Sequence, residues 1–339
     1  MTRALIVSEV PPGRSEGSQR MITDLADGLH ASGEAVLYSV GSGRGSRWMA
    51  AWRGGSGERM PDAEVLHFYP IGSLTRGALF RAGLWRRAFP RAGFLFHAFQ
   101  MPRGRLPGAA AMRRVLGRRA LLITPSAELA KQLDTIVHAT LVPAGVDTRV
   151  FRLPTSDERA SARRELGLPD SGRTVLHVGH LRSSRNLEVL AGLSARGNHV
   201  VVVASPRFPP DVAVLASLRS AGVRVVTGEQ ELRRWYWGSD CYVFPVSAPS
   251  AAVGFPLSVV EALACGIPVV STRFDGLFAL LGESWPGLSW ASGAEMPAAV
   301  DRALASPPAD ARAISEAASR RFGLGAVVQS YRQAYAALA

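Results

Sequence analysis

Short apolar runs alternate with amphipathic segments along most of the chain. In the first half, the runs of strand length are RALIVS, EAVLYSV, EVLHFY, GFLFHAF, ALLIT and ATLVP. Helical segments are predicted between them, at about 18–31, 73–89, 108–118 and 126–136. In the first of these, Met21, Leu25 and Leu29 are spaced along one face. Strands that alternate with helices predict right-handed βαβ units around a parallel sheet.

The pattern breaks once, in the polar stretch Phe151–Gly172, which we interpret as an inter-domain connection. Alternation then resumes with RTVLHVG, NHVVVVA, GVRVVTG, DCYVFPV and IPVVST, separated by predicted helices at about 185–197, 209–221, 229–238 and 256–264. A chain of 339 residues is too long for one ordinary core. We therefore predict an α/β protein of two small doubly wound domains, with ligands beyond the carboxyl ends of the strands.

The sequence predicts a soluble, cytoplasmic protein. Its first apolar run is too short for a secretory signal, and its longest uncharged run, Cys241–Val260, contains three prolines and a glycine. The two cysteines have no metal or redox spacing and suit a reducing compartment. The segment GSGRGSR, at 41–47, resembles a phosphate loop, but no predicted helix follows it, which favours a flexible loop.

The charge of the chain is strongly basic and unevenly distributed. The formal net charge is +12, and residues 1–155 carry 21 basic and 11 acidic side chains. Eleven arginines and no acidic residue lie between Val65 and Ala127. Such a field attracts nucleic acid, anionic lipid headgroups or phosphorylated substrates. Nucleic acid is the least favoured partner, because we find no reading helix, RNA-binding signature or aromatic stacking platform.

One carboxylate, Glu261, stands in the otherwise apolar run VVEALACGIPVVST. Pro256 suits the first position of a helix, which would leave the N–H groups of Leu257 and Ser258 at an anion-binding N-terminus. A carboxylate can accept both hydroxyl protons of a ribose cis-diol. The segment therefore fits either phosphate and ribose recognition or a glutamate that interacts only with the helix dipole.

A second candidate lies in VLHVGHLRSSRNLEVL, which runs from a strand through a short loop into a helix. Gly179 at the strand end would let a ligand approach the backbone, and His180, Arg182 and Arg185 bring positive charge to the same turn. Arginine is suited to bidentate phosphate contact. Basic loop residues are commonly mere surface charges, but their place beside a second anion site favours a ligand site.

These segments, in their order along the chain, resemble the family 4 retaining glycosyltransferases of the GT-B fold. The matching segments are EGSQRMITDLADGLHASGEAV, LLITPSAELAKQL, LVPAGVDTRVF, VLHVGHLRSSRNLEVL, LRRWYWGSDCYVFPV and GFPLSVVEALACGIPVVST. The resemblance implies two Rossmann-like domains facing a central cleft. Residues 1–152 would bind the acceptor, residues 173–323 would bind the nucleotide sugar, and a final helix at 324–339 would complete the first domain.

The resemblance also implies roles for single residues. Glu261 corresponds to the glutamate that holds the ribose, and Arg185 and His180 stand where the family usually has a lysine and an arginine on the diphosphate. His97 lies where many members have a histidine beside the transferred sugar. We accordingly assign catalytic roles to His97, Arg185 and His180, and donor contacts to Gly17, Gly179, His180, Arg185, Phe255, Leu257, Ser258, Glu261 and Asp275.

The chain departs from the family pattern at three positions. The first of the two motif glutamates, which usually contacts the donor sugar, is replaced by Val253. Histidine at position 180 weakens a permanent charge, because its ordinary pKa leaves it partly protonated near neutral pH. The segment RFDGLFALL, which we predict to be a loop after the strand IPVVST, lacks the usual second glycine, and we expect Asp275 or a backbone group there to take over a sugar contact.

The family implies transfer of a sugar from a nucleoside diphosphate sugar to an acceptor hydroxyl, with retention of configuration and without a metal ion or other cofactor. We expect an anionic, lipid-linked or natural-product acceptor on the basic first half. There LTRGALFRAGLWRRAFPRAG fits either contact with the inner membrane face or a buried helix with a solvated basic face. Val253 leaves a second interpretation open, a catalytically silent protein that binds nucleotide sugars or partners an active relative.

Overall fold

The computed structural model describes most of the chain. The described residues are 3–11, 13, 16–31, 33–39, 62–71, 74–99, 108–117, 119–170, 173–206, 208–228, 230–305 and 311–339. The segment GSGRGSR, predicted as a flexible loop, lies outside them. The chain divides into two compact units. Unit 1 is Met1–Gly145, Val253–Phe255 and Leu324–Ala339, and unit 2 is Val146–Ala252 and Pro256–Gly323.

Unit 1 is built on a parallel sheet. Its described strands are β1 (Ala4–Ser8), β2 (Ala35–Ser39), β3 (Val65–Tyr69), β4 (Gly93–His97), β5 (Ala120–Thr124) and β6 (His138–Leu141), in the order β2-β1-β3-β4-β5-β6. β1, β3 and β4 are buried along their whole length, as expected of strands covered on both faces. Every residue in these three apolar strands therefore contributes to the core.

The first helices of unit 1 are α1 (Gly17–His30), α2 (Arg76–Ala88), α3 (Ala109–Leu116) and α4 (Ala127–Leu133). Two of them begin at hydroxyl caps. The Thr75 side chain accepts a hydrogen bond from the Ala78 N–H at 3.1 Å, and the Ser126 side chain accepts one from the Leu129 N–H at 3.2 Å. Each cap satisfies a backbone donor that has no partner within its helix.

Unit 2 has a second parallel sheet. Its described strands are β7 (Thr174–Gly179), β8 (His199–Ala204), β9 (Arg224–Val226), β10 (Cys241–Phe244), β11 (Val269–Ser271) and β12 (Leu288–Trp290), in the order β12-β11-β10-β7-β8-β9. Its helices are α5 (Ser156–Glu165), α6 (Glu188–Ala195), α7 (Val212–Ser220), α8 (Leu232–Gly238), α9 (Leu257–Ala264), α10 (Asp275–Leu281), α11 (Met296–Ala305) and α12 (Ala311–Phe322). A 3₁₀ turn at Ser183–Arg185 follows β7. The predicted α/β class with parallel sheets is confirmed.

The last helix, α13 (Leu324–Leu338), belongs to unit 1 although the chain reaches it after all of unit 2. It buries Val327, Val328, Tyr331, Tyr335 and Leu338. Arg332 Nε donates to Glu34 Oε2 at 2.7 Å, next to the start of β2. A β-carbon at Gly93, where β4 begins, would collide with the carbonyl oxygen of Leu338. The C-terminal end of α13 therefore packs directly against the backbone of β4 at Gly93.

Three parts of unit 2 differ from the sequence prediction. The stretch predicted as a connection contains α5, which begins with a capping box. Thr155 accepts from the Glu158 N–H at 3.2 Å, and Glu158 accepts from the Thr155 N–H at 2.8 Å. The segment RFDGLFALL, predicted as a loop, contains α10. Pro256, predicted as the first helical residue, is the cap residue before α9 and has extended dihedral angles.

Among the described helices, none is both long and apolar enough to cross a membrane.

Candidate functional site

The sheet of unit 2 reverses its winding direction between β7 and β10. From β7 the chain proceeds to β8 and β9 on one side, and from β10 it proceeds to β11 and β12 on the other. In open parallel sheets, ligands bind in the crevice beyond the carboxyl ends of the strands at this switch point. Gly179 ends β7, the loop after it carries Arg185, and the segment after β10 leads to Ser258 and Glu261. These four predicted residues therefore lie at the expected edge.

Glu261 lies within α9 and is only 1% exposed. A buried carboxylate is costly unless hydrogen bonds stabilise its charge. Tyr236, on α8, donates from Oη to Glu261 Oε2 at 2.8 Å. Each carboxylate oxygen has two lone pairs, so this bond fixes the side chain without exhausting what it can accept. Tyr236, which lies 25 residues earlier on α8, thus fixes the orientation of the Glu261 side chain.

Tyr242, on β10, connects the two halves of the site. It is fully buried, its Oη donates to the Val178 carbonyl at 3.3 Å, and it also hydrogen-bonds to the Ser258 side chain. Burial raises the pKa of Tyr242; the Glu261 charge raises it further, whereas the Arg185 charge lowers it. One phenol therefore lies within the electrostatic reach of both the acidic and the basic member of the site.

Arg185 ends the 3₁₀ turn after β7 and is 8% exposed. A β-carbon at Gly179 would lie 2.6 Å from Arg185 Nη1 and 3.2 Å from His177 Nε2. The guanidinium consequently occupies space that only glycine leaves open. His177 Nδ1 lies 2.9 Å from the Val243 carbonyl oxygen and donates to it. Burial lowers the pKa of His177, the hydrogen bond to Val243 opposes this and the nearby Arg185 charge adds to it, which leaves a pKa of about 4 and a neutral imidazole at pH 7.

The other predicted residues of unit 2 are His180, Asp275, Leu257 and Ser258. His180 is half-buried, and its ring meets Phe208 edge-on with centroids 4.9 Å apart. Asp275 is half-buried at the first position of α10, beyond the carboxyl end of β11. Leu257 is buried at the first position of α9, and the half-buried Ser258 follows it.

Three predicted or motif residues belong to unit 1. Gly17 is the first residue of α1, and Phe255 is fully buried. His97 ends β4 and has no exposed surface. Its ring stacks on Tyr69 with centroids 4.2 Å apart, and Tyr331 Oη lies 3.2 Å from its Nδ1. Its assignment beside a transferred sugar stays a prediction. A cavity of about 500 Å³ in unit 1, lined by β6 and α13, contains none of the predicted site residues.

Sequence reasoning did not find Tyr236, Tyr242 or His177. Each lies in a segment that reads as core, LRRWYWG, CYVF or TVLHVG, and each is buried. Their partners are 16 to 66 positions away along the chain, so no local spacing marks them. A polar group in an otherwise apolar strand or helix end was the only available signal.

Comparison with known proteins shows what this chain is similar to. Residues 172–319 match the family described as glycosyl transferases group 1. The D-inositol 3-phosphate glycosyltransferase of Mycolicibacterium gilvum is 31% identical over 185 residues, which cover 50% of this chain and 40% of the relative. The lipopolysaccharide core biosynthesis mannosyltransferase LpsB of Rhizobium meliloti is 29% identical over 206 residues, which cover 56% of each. The chain spans about half the length of these curated relatives.

Solved structures share the fold over nearly the whole chain. HepE of Anabaena, in complex with UDP-glucose, has a TM-score of 0.73 and 16% identity, covering 99% of this chain and 100% of that one. A glycosyltransferase from Rickettsia africae has a TM-score of 0.74 and 14% identity, covering 99% of this chain and 98% of that one. The predicted GT-B fold is confirmed, and so is the resemblance to glycosyl transferases group 1 over residues 172–319.

Proposed function

We propose that this chain, whose residues 172–319 belong to the glycosyl transferases group 1 family, is a glycosyltransferase. It would transfer a sugar from a nucleoside diphosphate sugar to an acceptor hydroxyl, with retention of configuration. The observation that carries the proposal is the buried Glu261, oriented by Tyr236 at the switch point of the second sheet. A carboxylate held in this way suits the two hydroxyl groups of a ribose.

The positive groups of the same site suit a diphosphate. Arg185 provides a permanent charge in a largely desolvated position, where its interaction with an anion is strong. The N–H groups of Leu257 and Ser258 lie in the first turn of α9 and have no acceptor within the helix. We assign to these groups the stabilisation of charge that develops on the leaving diphosphate, which itself accepts the acceptor's proton. In this proposal the chain's own groups supply the positive charge, without a metal ion.

Calorimetry with UDP, GDP, dTDP and ADP tests the donor site. UDP is the first choice because the similar fold of HepE holds UDP-glucose. We expect one diphosphate to bind wild type tightly and Glu261→Ala at least tenfold more weakly, because the substitution removes the ribose acceptor. Glu188→Ala is the control, since Glu188 is an exposed glutamate of the same unit. Failure of all four to bind wild type would overturn the proposal.

A catalytically silent nucleotide-sugar-binding protein is the second candidate. Val253, half-buried and grouped with unit 1, stands where the family has the first motif glutamate. Release of labelled sugar from nucleotide sugars separates the two candidates. Transfer or slow hydrolysis by wild type supports the enzyme, whereas tight binding without any release supports the silent protein.

The acceptor would lie on unit 1, whose described surface includes a basic face on α2 and α3. Arg76 and Arg87 of α2 and Arg113 and Arg114 of α3 are exposed, and Phe80 of α2 is 58% exposed. Exposed arginines with an aromatic side chain suit an anionic acceptor or an anionic membrane surface. Sedimentation with anionic and neutral vesicles tests the membrane alternative. Selective binding to anionic vesicles, weakened in Arg87→Gln/Arg113→Gln, would support it, and equal binding to both would contradict it.

A further inference from the structure

A cluster of histidine and tyrosine side chains is buried in unit 1, where β3 and β4 face α13. His97 and Tyr69 have no exposed surface, and Tyr331 of α13 is also buried. The His97 and Tyr69 rings are nearly parallel, with an interplanar angle of 12°. The stacking fixes the plane of the imidazole but leaves open which of its two nitrogens carries the proton.

Two hydrogen bonds join these three side chains in a row. Tyr331 Oη lies 3.2 Å from His97 Nδ1 and 3.3 Å from Tyr69 Oη. His97 Nε2 is buried and has no hydrogen-bond partner among the described residues. Burial lowers the pKa of His97 to about 3, so the ring is neutral and carries one proton. That proton is therefore either on Nδ1, facing Tyr331, or on Nε2.

The two arrangements differ in the number of buried groups that they leave without a partner. If Tyr69 donates to Tyr331 and Tyr331 donates to Nδ1, only the Nε2–H of His97 lacks an acceptor. If the row runs the other way, both the hydroxyl proton of Tyr69 and the Nε2 lone pair lack a partner among the described residues. Because a buried polar group without a partner is destabilising, the first arrangement is favoured.

We propose that Tyr331 is a positioning residue that holds His97 in the tautomer protonated on Nε2. This inference rests on the proposed function and on the predicted place of His97 beside the transferred sugar. A neutral imidazole with a fixed Nε2–H is a hydrogen-bond donor there and has no free lone pair to act as a base. The last described helix, α13, would thus set the donor character of His97.

Tyr335 provides a matched control on the same helix. It is buried, and its Oη lies 2.8 Å from Nδ1 of His67, a second buried histidine. Tyr331→Phe and Tyr335→Phe therefore each remove one phenol hydroxyl from α13. Each substitution breaks a hydrogen bond to the Nδ1 of a buried imidazole. Only the first breaks the bond to His97.

The test is long-range ¹H–¹⁵N NMR of the full chain labelled with ¹⁵N-histidine, with the His97 signals assigned from His97→Gln. We expect wild-type His97 to be protonated on Nε2, Tyr331→Phe to change its ¹⁵N shifts towards a mixture of tautomers, and Tyr335→Phe to leave them unchanged. A wild-type His97 protonated on Nδ1, or a tautomer unaffected by Tyr331→Phe, would overturn the proposal. The spectra require no substrate.

Kinetics then show whether the tautomer matters for transfer. We expect Tyr331→Phe to lower kcat about tenfold, the equivalent of one hydrogen bond, with little change in KM for the nucleotide sugar. Tyr335→Phe should leave both constants near their wild-type values. An equal loss in both variants would mean that the effect is packing and would overturn the positioning role. Absence of transfer by wild type would refute the proposed function, and the spectra alone would then decide the tautomer.

Discussion

The buried Glu261 accepts a hydrogen bond from the Tyr236 hydroxyl. The two residues are 25 positions apart, on α9 and α8. The apolar neighbours of Glu261 in sequence would otherwise make this position costly for a carboxylate. The bond also fixes the rotamer, so a ligand would meet an acceptor that is already oriented.

Removal of this phenol should destabilise the fold measurably. In Tyr236→Phe the buried carboxylate loses a charge-assisted hydrogen bond, and we expect the free energy of unfolding to fall by about 1.5–3 kcal/mol. Tyr242→Phe is the comparison, because its hydroxyl has the neutral partners Val178 and Ser258 and should cost about 1 kcal/mol. Urea denaturation measures both. A smaller loss in Tyr236→Phe than in Tyr242→Phe would contradict this account of Glu261.

Gly179 gives a second prediction at the scale of one residue. Alanine there would press on Arg185 Nη1, the far end of a flexible side chain, so the guanidinium should move while the fold persists. We expect Gly179→Ala to retain its thermal midpoint within a few degrees and to bind the preferred nucleoside diphosphate about tenfold more weakly. Thermal unfolding and calorimetry measure the two effects. Unchanged affinity would mean that Arg185 does not contact the diphosphate.

Most helices and strands could be predicted from the sequence, because the apolar residues recur with the period of each element and polar segments separate the elements. β5 occupies the predicted segment ALLIT, and α9 begins one residue after its predicted start. α5 was missed because polarity and flanking prolines suggested a connection, although Thr155 and Glu158 have the spacing of a capping box. The sequence singles out Glu261 and Arg185 as candidates, but it does not reveal Tyr236, because its contact with Glu261 is tertiary and leaves no periodic pattern in the sequence.

Two glycines test how closely the elements pack. Gly93 begins β4 against the backbone of α13, and Gly93→Ala should cost about 1–3 kcal/mol because the Leu338 carbonyl cannot move aside freely. Gly192 lies exposed in α6 with no atom in the way of a β-carbon. Gly192→Ala should stabilise the chain by about 0.5–1 kcal/mol through helix propensity. Urea denaturation of both variants tests the pair, and a tolerated Gly93→Ala would mean that α13 packs less closely.

Over the whole molecule, buried neutral histidines give stability a characteristic pH dependence. Burial lowers the pKa of His97 to about 3 and that of His177 to about 4, and it lowers that of His67 as well. Unfolded histidines take up protons below about pH 6.5, whereas these folded ones do not. Protonation therefore favours the unfolded state, and stability that is complete above pH 6.5 is lost as the pH falls.

We expect the free energy of unfolding to fall by up to about 1.4 kcal/mol per pH unit for each of these histidines between pH 6.5 and pH 5. Urea denaturation at half-unit intervals measures the slope. His177→Gln should reduce it, and His138→Gln, which replaces an exposed histidine, should not. Equal slopes in wild type and His177→Gln would show that His177 is protonated in the folded state.

Because α13 belongs to unit 1, the order of synthesis on the ribosome affects when unit 1 can complete its folding. The partners of β3 and β4 in that helix are translated after every strand of unit 2. A nascent chain therefore contains all six described strands of the first sheet before Tyr335 and Tyr331 are synthesised. His67 and His97 lack these hydrogen-bond partners until then. Domains generally mature from the N-terminus during synthesis. In this chain we expect the reverse order, with the first sheet made being the last to reach its native packing.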